Sequence, residues 1–350
     1  MKRLYLAAAE EKAGKTSLSV GLARALLDRG AAVTWRKPVG WATTYRLGRP
    51  FDRDAEVVAT ALGIEGDPAE LVPVLGGETP RAWRPPEGAW ERIESMLAAT
   101  VDYLILEGRE WLGRGLLSGL SDIAIAGRLD APILLVARYR GEPTVDRILA
   151  CVRLIRDETR LLGVVINEVS ADTELDEVRG YVVPFLEERG VPVLGVIPFE
   201  RRLRVVQVGA VVQELGADLL VTGDLAGEVE RFLVGAMGGE AALRYLRRIP
   251  GQLGVVTGGD RTDIQAAALA SPRVRVLILT GGLRPEQAIV TRAAERGVTV
   301  ALAHQDTMTV AEAAEGLLGR LPLTGERQLA LVDQLVREGM DLDRLLELLG

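Results

Sequence analysis

The chain has 350 residues, 48% hydrophobic and 26% charged, with a net charge of −7; this is the make-up of a globular protein long enough for two domains. The acidic balance argues against a general nucleic-acid surface. No apolar run approaches the ~18 residues of a membrane span, and the run behind Lys2 and Arg3 is too short for a signal peptide. The single cysteine, Cys151, excludes an intrachain disulfide and a thiolate zinc cage, and a cytoplasmic location is expected.

Leu4 to Ala9 is an apolar run of strand length. It breaks at Glu10-Glu11-Lys12, and Ala13-Gly14-Lys15-Thr16-Ser17 leads into a helical segment that runs to Leu27. Strand, loop, Gly-Lys-Thr and helix form a phosphate-binding P-loop, with backbone N–H groups and a helix N-terminus facing an anion. In it Lys15 reaches the β/γ-phosphates and the Thr16 hydroxyl sits on Mg²⁺. The first glycine of G-x-x-x-x-G-K-[ST] is Ala9 here, and Glu10 and Glu11 place two carboxylates where they repel phosphate. The bland alternative is a chance Gly-Lys-Thr at a helix start.

Val33 to Arg36 reads as a second strand, ending at Lys37-Pro38-Val39-Gly40, and Glu56 to Leu62 as a helix. Pro73 to Pro86 is a Gly- and Pro-rich loop. Trp90 to Thr100 is helical, Tyr103 to Leu106 a strand stopping at Glu107-Gly108, Ile133 to Ala137 a strand and Leu149 to Arg156 a helix. Leu162 to Ile166 is a strand ending at Asn167; helix Val178 to Arg189 and strand Val193 to Ile197 follow. Short apolar strands alternating with helices predict a parallel sheet covered on both faces, with ligands at the carboxyl ends of its strands. Lys37, Glu107 and Asn167 lie at that edge.

Near residue 205 the pattern restarts, so the predicted domains are 1–205 and 206–350. Val205 to Leu215 reads as a helix, Leu219 to Thr222 as a strand and Glu228 to Gly235 as a helix. Leu253 to Thr257, Val274 to Leu279 and Val298 to Ala303 read as strands. The tail from Glu326 to Leu349 has the apolar spacing of amphipathic helices, which pack either on their own domain or on a second copy.

Glu107, at a strand end, has the place of a carboxylate that holds Mg²⁺ or its waters. Asp52 and Asp54 serve either as a helix cap or as a second ligand, with Asp54 preferred. Lys37 offers a cation to a γ-phosphate or a substrate carboxylate. His304 is the sole histidine and reads as a hydrogen-bonded structural residue; Cys151, in an apolar helix, reads as core.

Taken in order, Ala-Gly-Lys-Thr-Ser at 13–17, Gly-Leu-Ala-Arg-Ala-Leu at 21–26, Lys37-Pro38-Val39-Gly40, Asp52-x-Asp54-Ala55, Leu106-Glu107-Gly108 and Gly163-Val-Val-Ile-Asn167 resemble the dethiobiotin synthetase-like P-loop family. The resemblance implies Mg²⁺ at Thr16, Asp54 and Glu107. It places phosphates at Lys15 and Lys37, with Lys12, Ala13, Gly14 and Ser17 completing the loop, and adenine at Asn167. Two departures stand out: Lys12 replaces the family's loop glutamate, and it lies two places late for the signature lysine of the deviant-Walker ATPases. The second half resembles the domain named for its Asp-Arg-Thr-Gly-Gly pattern, through Val255-Val-Thr-Gly-Gly-Asp260-Arg261-Thr262-Asp263, Ile278-Leu-Thr-Gly-Gly-Leu283 and Asp306-Thr307. Asp263-Ile264 stands where that name has Gly-Gly. The turns at Gly259, Asp260, Arg261, Thr262, Gly281 and Gly282 either hold a small anion or simply turn the chain.

In this order the two domains are similar to the N-terminal regulatory half of long phosphotransacetylases, and the acetyltransferase domain does not follow. The resemblance implies an α/β fold, a P-loop parallel sheet followed by a smaller α/β domain. It also implies an ATP·Mg²⁺-binding regulatory protein; a small-molecule effector and a dimer are expected with it, while charge and apolar run length argue against a nucleic-acid or membrane partner. An ATP-dependent ligase activating a carboxylate or carbamate is the alternative, with Lys15 and Lys37 catalytic. A dimerisation module with a decayed P-loop is the third reading.

Overall fold

A computed structural model describes all residues except 42–43, 47–48, 77–83, 171, 236 and 319–325. Two compact units divide the chain: Met1–Phe199 with Leu323–Gly350, and Glu200–Pro322 between them.

The first unit is built on six strands: β1 (Lys2–Ala8), β2 (Val33–Arg36), β3 (Tyr103–Glu107), β4 (Ile133–Arg138), β5 (Leu161–Val169) and β6 (Val193–Pro198). They lie in the order β6-β5-β4-β1-β3-β2, every pair parallel. Four or more consecutive residues are buried in each of β1, β3, β4, β5 and β6, as expected of strands covered on both faces. Helices α1 (Lys15–Asp28), α2 (Arg53–Leu62), α3 (Asp122–Arg128) and α4 (Glu142–Glu158) connect the first five, and a helical segment over 172–187 leads to β6. The chain runs from β1 to β2 on one side and later to β4 on the other. The order therefore reverses beside β1, and its carboxyl end is the switch point where such sheets form a crevice.

The second unit holds β7 (Asp218–Val221), β8 (Arg231–Val234), β9 (Leu253–Gly258), β10 (Val274–Thr280) and β11 (Thr299–Leu302), in the order β7-β11-β10-β9-β8. Only β7 is antiparallel to its neighbour in this sheet. Helices α5 (Gly239–Arg248), α6 (Thr262–Leu269), α7 (Gln287–Arg296) and α8 (Thr307–Leu317) complete it, and the apolar core divides into two clusters of buried residues. The expected helix at Glu228 to Gly235 is absent: Arg231–Val234 is strand β8, with Phe232 4% exposed. An aromatic among apolar neighbours suits a pleated half-buried surface better than a helix. Of the expected helix Val205 to Leu215, Val206–Gln207 is a two-residue strand and Val208–Glu214 is helical.

The tail forms α9 (Glu326–Gly339) and α10 (Leu342–Leu349), and it groups with the first unit rather than the second, as domain limits of 206–350 had implied. Arg24 of α1 bonds Asp333 of α9, and Met340 makes a bridge to Gly195 of β6. A Cβ on Gly21 would lie 2.5 Å from Val336 Cγ2 and 2.8 Å from Val332 Cγ1. The apolar stripe of the tail is thus buried within its own chain, against α1 and the sheet edge.

Candidate functional site

At the switch point β1 ends and the Ala9 N–H bonds the Val136 carbonyl of β4 at 2.9 Å. The chain then turns through Lys12 (φ 57°) and Gly14 (φ 88°) into α1. A side chain at Gly14 would meet both a left-handed backbone and the Asn167 amide, 2.3 Å from its Cβ, so only glycine fits. Helix α1 has no side-chain cap and no acidic residue in its first turn. Its first N–H groups and the positive end of its dipole are left for an anion.

Lys15 stands at that helix start, 8% exposed, and its ammonium has no hydrogen bond or ion pair among the described residues. Burial pulls its pKa down, while Glu107 and Asp122 act the other way. Glu107, 2% exposed, accepts from Thr16 Oγ1 at 2.7 Å, Ser19 Oγ at 2.6 Å and Trp35 Nε1 at 3.1 Å. Desolvation raises its pKa, and Lys37 opposes that.

Asp52 and Asp54 divide the two roles that their sequence left open. Asp52 is buried and caps α2 by accepting from the Asp54 N–H at 2.9 Å, and from Trp41 N at 2.8 Å. The half-exposed Asp54 reaches Lys37 Nζ at 2.6 Å, and Asp52 approaches the same ammonium at 3.0 Å. Burial alone would push the Lys37 pKa down; Asp54, Asp52 and Glu107 outweigh it and leave it raised.

Asn167 lies at the end of the same edge, but its Nδ2 donates to the Ala13 carbonyl at 2.9 Å and so braces the loop. Lys12 is exposed, and Ser17 is half-buried. The repulsion expected from Glu10 is met by an ion pair with Arg147 of α4, while Glu11 is exposed.

The oxygen donors Thr16, Glu107 and Asp54 fit a hard cation such as Mg²⁺. Thr16 and Glu107 touch, and the Asp54 charge is felt at Glu107. Among the described residues no group of three His, Cys, Asp or Glu side chains could hold a metal unaided. A cation here would share phosphate and water oxygens, as Mg²⁺ commonly does.

In the second unit the N–H groups of the Gly-rich turns are spent within the unit, Gly259 on the Thr280 carbonyl, Gly281 on that of Gln305 and Gly282 on that of Ala303. A Cβ on Gly259 would sit 1.9 Å from the Leu283 carbonyl oxygen, and Gly281 and Gly282 turn at φ 77° and 68°. The Arg261 guanidinium bonds Asp263 at 3.0 Å and the Met237 carbonyl at 2.7 Å. Thr262 leans on Glu286 at 3.4 Å. His304 meets Asp218 at 3.1 Å. Cys151 is buried in α4, which pushes its thiol up to about 11.

A family model described as an AAA domain matches residues 2–206. The chain belongs to the AAA domain family. Beyond this AAA domain, a DRTGG domain model matches residues 210–317. The chain is similar to the phosphate acetyltransferase of Pseudomonas aeruginosa, 27% identical over 286 residues that cover 77% of this chain and 40% of that protein. With the phosphate acetyltransferase of Deinococcus radiodurans it shares 26% identity over 309 residues, covering 83% of this chain and 42% of that one. It therefore spans about two fifths of the length of these relatives. Among solved structures, the MinD cell division protein of Aquifex aeolicus is 16% identical, covering 58% of this chain and 84% of that one with a TM-score of 0.37. The CBS and DRTGG domains of Clostridium perfringens pyrophosphatase are also 16% identical, covering 49% and 75% with a TM-score of 0.26.

Several polar residues of the AAA domain site were not legible as such. Ser19 and Trp35 complete the Glu107 shell, one as an unremarkable helix serine and the other as a strand aromatic. Asp122 of α3 is buried beside it, its Oδ1 accepting from Tyr5 OH at 3.1 Å and Arg109 N at 3.2 Å. Its Oδ2 has no partner among the described residues. Burial lifts its pKa to about 6, against the pull of Arg109 and Lys15. Arg147 was missed because the expected helix began at Leu149, whereas α4 starts at Glu142 with a proline in its first turn, a favoured position.

Proposed function

We propose that the AAA domain binds ATP together with Mg²⁺ and that the chain is a nucleotide-responsive regulatory protein. One observation carries the nucleotide reading: Lys15 is 8% exposed at the uncapped N-terminus of α1, and its ammonium has no hydrogen bond or ion pair among the described residues. A buried cation left unpaired is costly, and a phosphate chain would supply the missing anion to both ammonium and helix end. Residues Lys12 to Ser17 wrap the phosphates, Asn167 faces the adenine, and Thr16, Asp54 and Glu107 hold the cation. Bound there, Mg²⁺ would screen the charge of the phosphate oxygens.

The regulatory reading is supported by the relation to phosphate acetyltransferases and by the DRTGG domain. In this reading the turns at 259–262 and 281–282 take a small effector and the protein works as a cytoplasmic dimer. Calorimetric titration with ATP and GTP, with and without Mg²⁺, tests the nucleotide site. Binding by the wild type that is lost in Lys15→Met is the expected result, and no binding of either nucleotide overturns it.

A second ammonium favours a competing reading. Lys37 is 6% exposed and close enough to Lys15 to lower its pKa, so two cations converge where a phosphoryl group would transfer to a carboxylate. Substrate-dependent ADP release that is lost in both Lys15→Ala and Lys37→Ala would support such a ligase. Panels of carboxylates that release no ADP would exclude it.

A further inference from the structure

The ion pair between Glu10 and Arg147 has a second meaning if phosphate binds at Lys15. Glu10 is the second residue beyond β1, inside the loop that faces the anion. Arg147 comes from the second turn of α4, which follows β4. Because Ala8 pairs with Val136 of β4 and Ala9 bonds its carbonyl, the carboxyl end of β4 lies directly beside the loop. The guanidinium is thus delivered to the loop from the neighbouring strand of the same sheet.

The pair is incomplete in two ways. The Arg147 guanidinium meets Glu10 through Nη1 and Oε2, and its side chain remains 41% exposed. The other carboxylate oxygen, Glu10 Oε1, is buried with no partner among the described residues. A guanidinium on one carboxylate oxygen leaves most of its five donors unspent. Phosphate oxygens match its planar fork in a bidentate way and carry more charge.

We propose that Arg147 is a phosphate-binding residue supplied in cis, which Glu10 holds beside the loop until a polyphosphate takes its place. Glu10 is then a stand-in anion that occupies the guanidinium in the empty site. This rests on the reading that the AAA domain binds nucleotide at Lys15.

A double-mutant cycle on the intact chain tests it. Affinity is measured by calorimetry for Mg·ATP and for inorganic pyrophosphate with Mg²⁺, the latter reporting phosphate contacts without a base. The variants are Glu10→Gln, Arg147→Ala, Arg147→Lys and the two doubles with Glu10→Gln, each checked for an unchanged melting transition. Glu10→Gln should tighten both ligands, because it frees the guanidinium and removes a repelling charge. Arg147→Ala should weaken both by roughly 10- to 100-fold, the scale of charge-assisted hydrogen bonds.

The deciding comparison is Glu10→Gln/Arg147→Ala against Glu10→Gln alone. A loss of about 10-fold or more there, partly restored by lysine, means that the arginine contacts phosphate. Equal affinities would mean that Arg147 serves only to neutralise Glu10, and they overturn the proposal while leaving the nucleotide site intact. A wild type that binds neither ligand overturns the nucleotide reading itself and this inference with it.

Discussion

Arg24 of the P-loop helix and Asp333 of α9 stand 309 positions apart, and the guanidinium of one grips the carboxylate of the other through Nε at 2.8 Å and Nη2 at 2.9 Å. The geometry is the planar two-point match that makes arginine the strongest partner for a carboxylate. Around it, Arg337 pairs with Asp28, Arg29 with Asp343 at 2.9 Å and Arg344 with Glu187 at 2.7 Å. The chain leaves the first unit after Phe199 and re-enters it at the tail, so the helix that starts the P-loop is packed by the last segment of the sequence. What positions Lys15 and Thr16 is partly the seat that α9 gives α1.

The first prediction concerns that seat. Alanine at position 21 would gain up to about 1 kcal/mol of helix propensity over glycine. Its Cβ, however, would press into Val336 at 2.5 Å and Val332 at 2.8 Å, and overpacking of this kind costs about 1–3 kcal/mol. Steric cost wins. Gly21→Ala should lower the urea midpoint, and its penalty should shrink in a Val336→Ala background, where the clashing methyl is gone. A more stable Gly21→Ala chain would mean that α9 does not sit this close to α1.

Local motifs were legible where one stretch of chain holds the whole feature. Gly14-Lys15-Thr16 announces a loop and helix start, and Ile133–Arg138 and Val274–Thr280 announce buried strands by their apolar runs. Glu107 was found because its strand points it at the edge. Partners were not legible, because a pairing such as Tyr5 with Asp122 spans 117 positions and leaves no local periodicity. The tail announced helices but not their seat: apolar spacing says that a face is buried, not what buries it. Arg147 was lost to the polar first turns of α4, and Phe232 was read into a helix because the run around it is too short to tell period 2 from 3.6.

Lys15 separates stability from binding. The residue is buried, its ammonium has no partner among the described residues, and burial lowers its pKa, so the charged form destabilises the empty fold. Lys15→Met keeps the stem and removes the charge. The empty protein should melt at the same temperature or a few degrees higher. The increase that saturating ATP gives the wild type, about 2.7 kcal/mol at 100 times Kd, should vanish. A variant that melts lower while still responding to ATP would show Lys15 to be structural.

Lys37 should behave in the opposite sense. Its removal leaves Asp52, 2% exposed, without the cation that offsets its desolvation, and breaking a buried pair costs about 3–5 kcal/mol. Burial already raises the Asp52 pKa, and losing Lys37 raises it further. A carboxyl with a raised folded pKa is penalised while ionised and relieved once protonated. The destabilisation in Lys37→Ala should therefore be larger at neutral pH than in acid, and Asp52→Asn should suppress it. Urea melts of the single and double variants at two pH values measure both effects.

Asp122 gives the sharpest pH signature. Its carboxyl is buried and pushed up to about 6 from an ordinary 3.8, with Arg109, Lys15 and the Tyr5 hydroxyl facing it and pulling the other way. Because the folded value is the higher one, the folded state binds the proton more tightly. The penalty is absent below the unfolded value and complete above the folded one, reaching roughly 3 kcal/mol. Stability due to this residue should thus fall as pH rises from about 4 to about 6 and stay level beyond. Asp122→Asn keeps an oxygen for Tyr5 and Arg109 and cannot ionise. Its stability relative to wild type should climb by about that amount across the same window, whatever constant offset the amide introduces. Chemical denaturation of both chains at half-unit steps from pH 4 to 7.5 gives the curve. A difference that stays flat across the window would mean that the carboxyl keeps its ordinary pKa beside Lys15, and that the cations, not burial, set its charge.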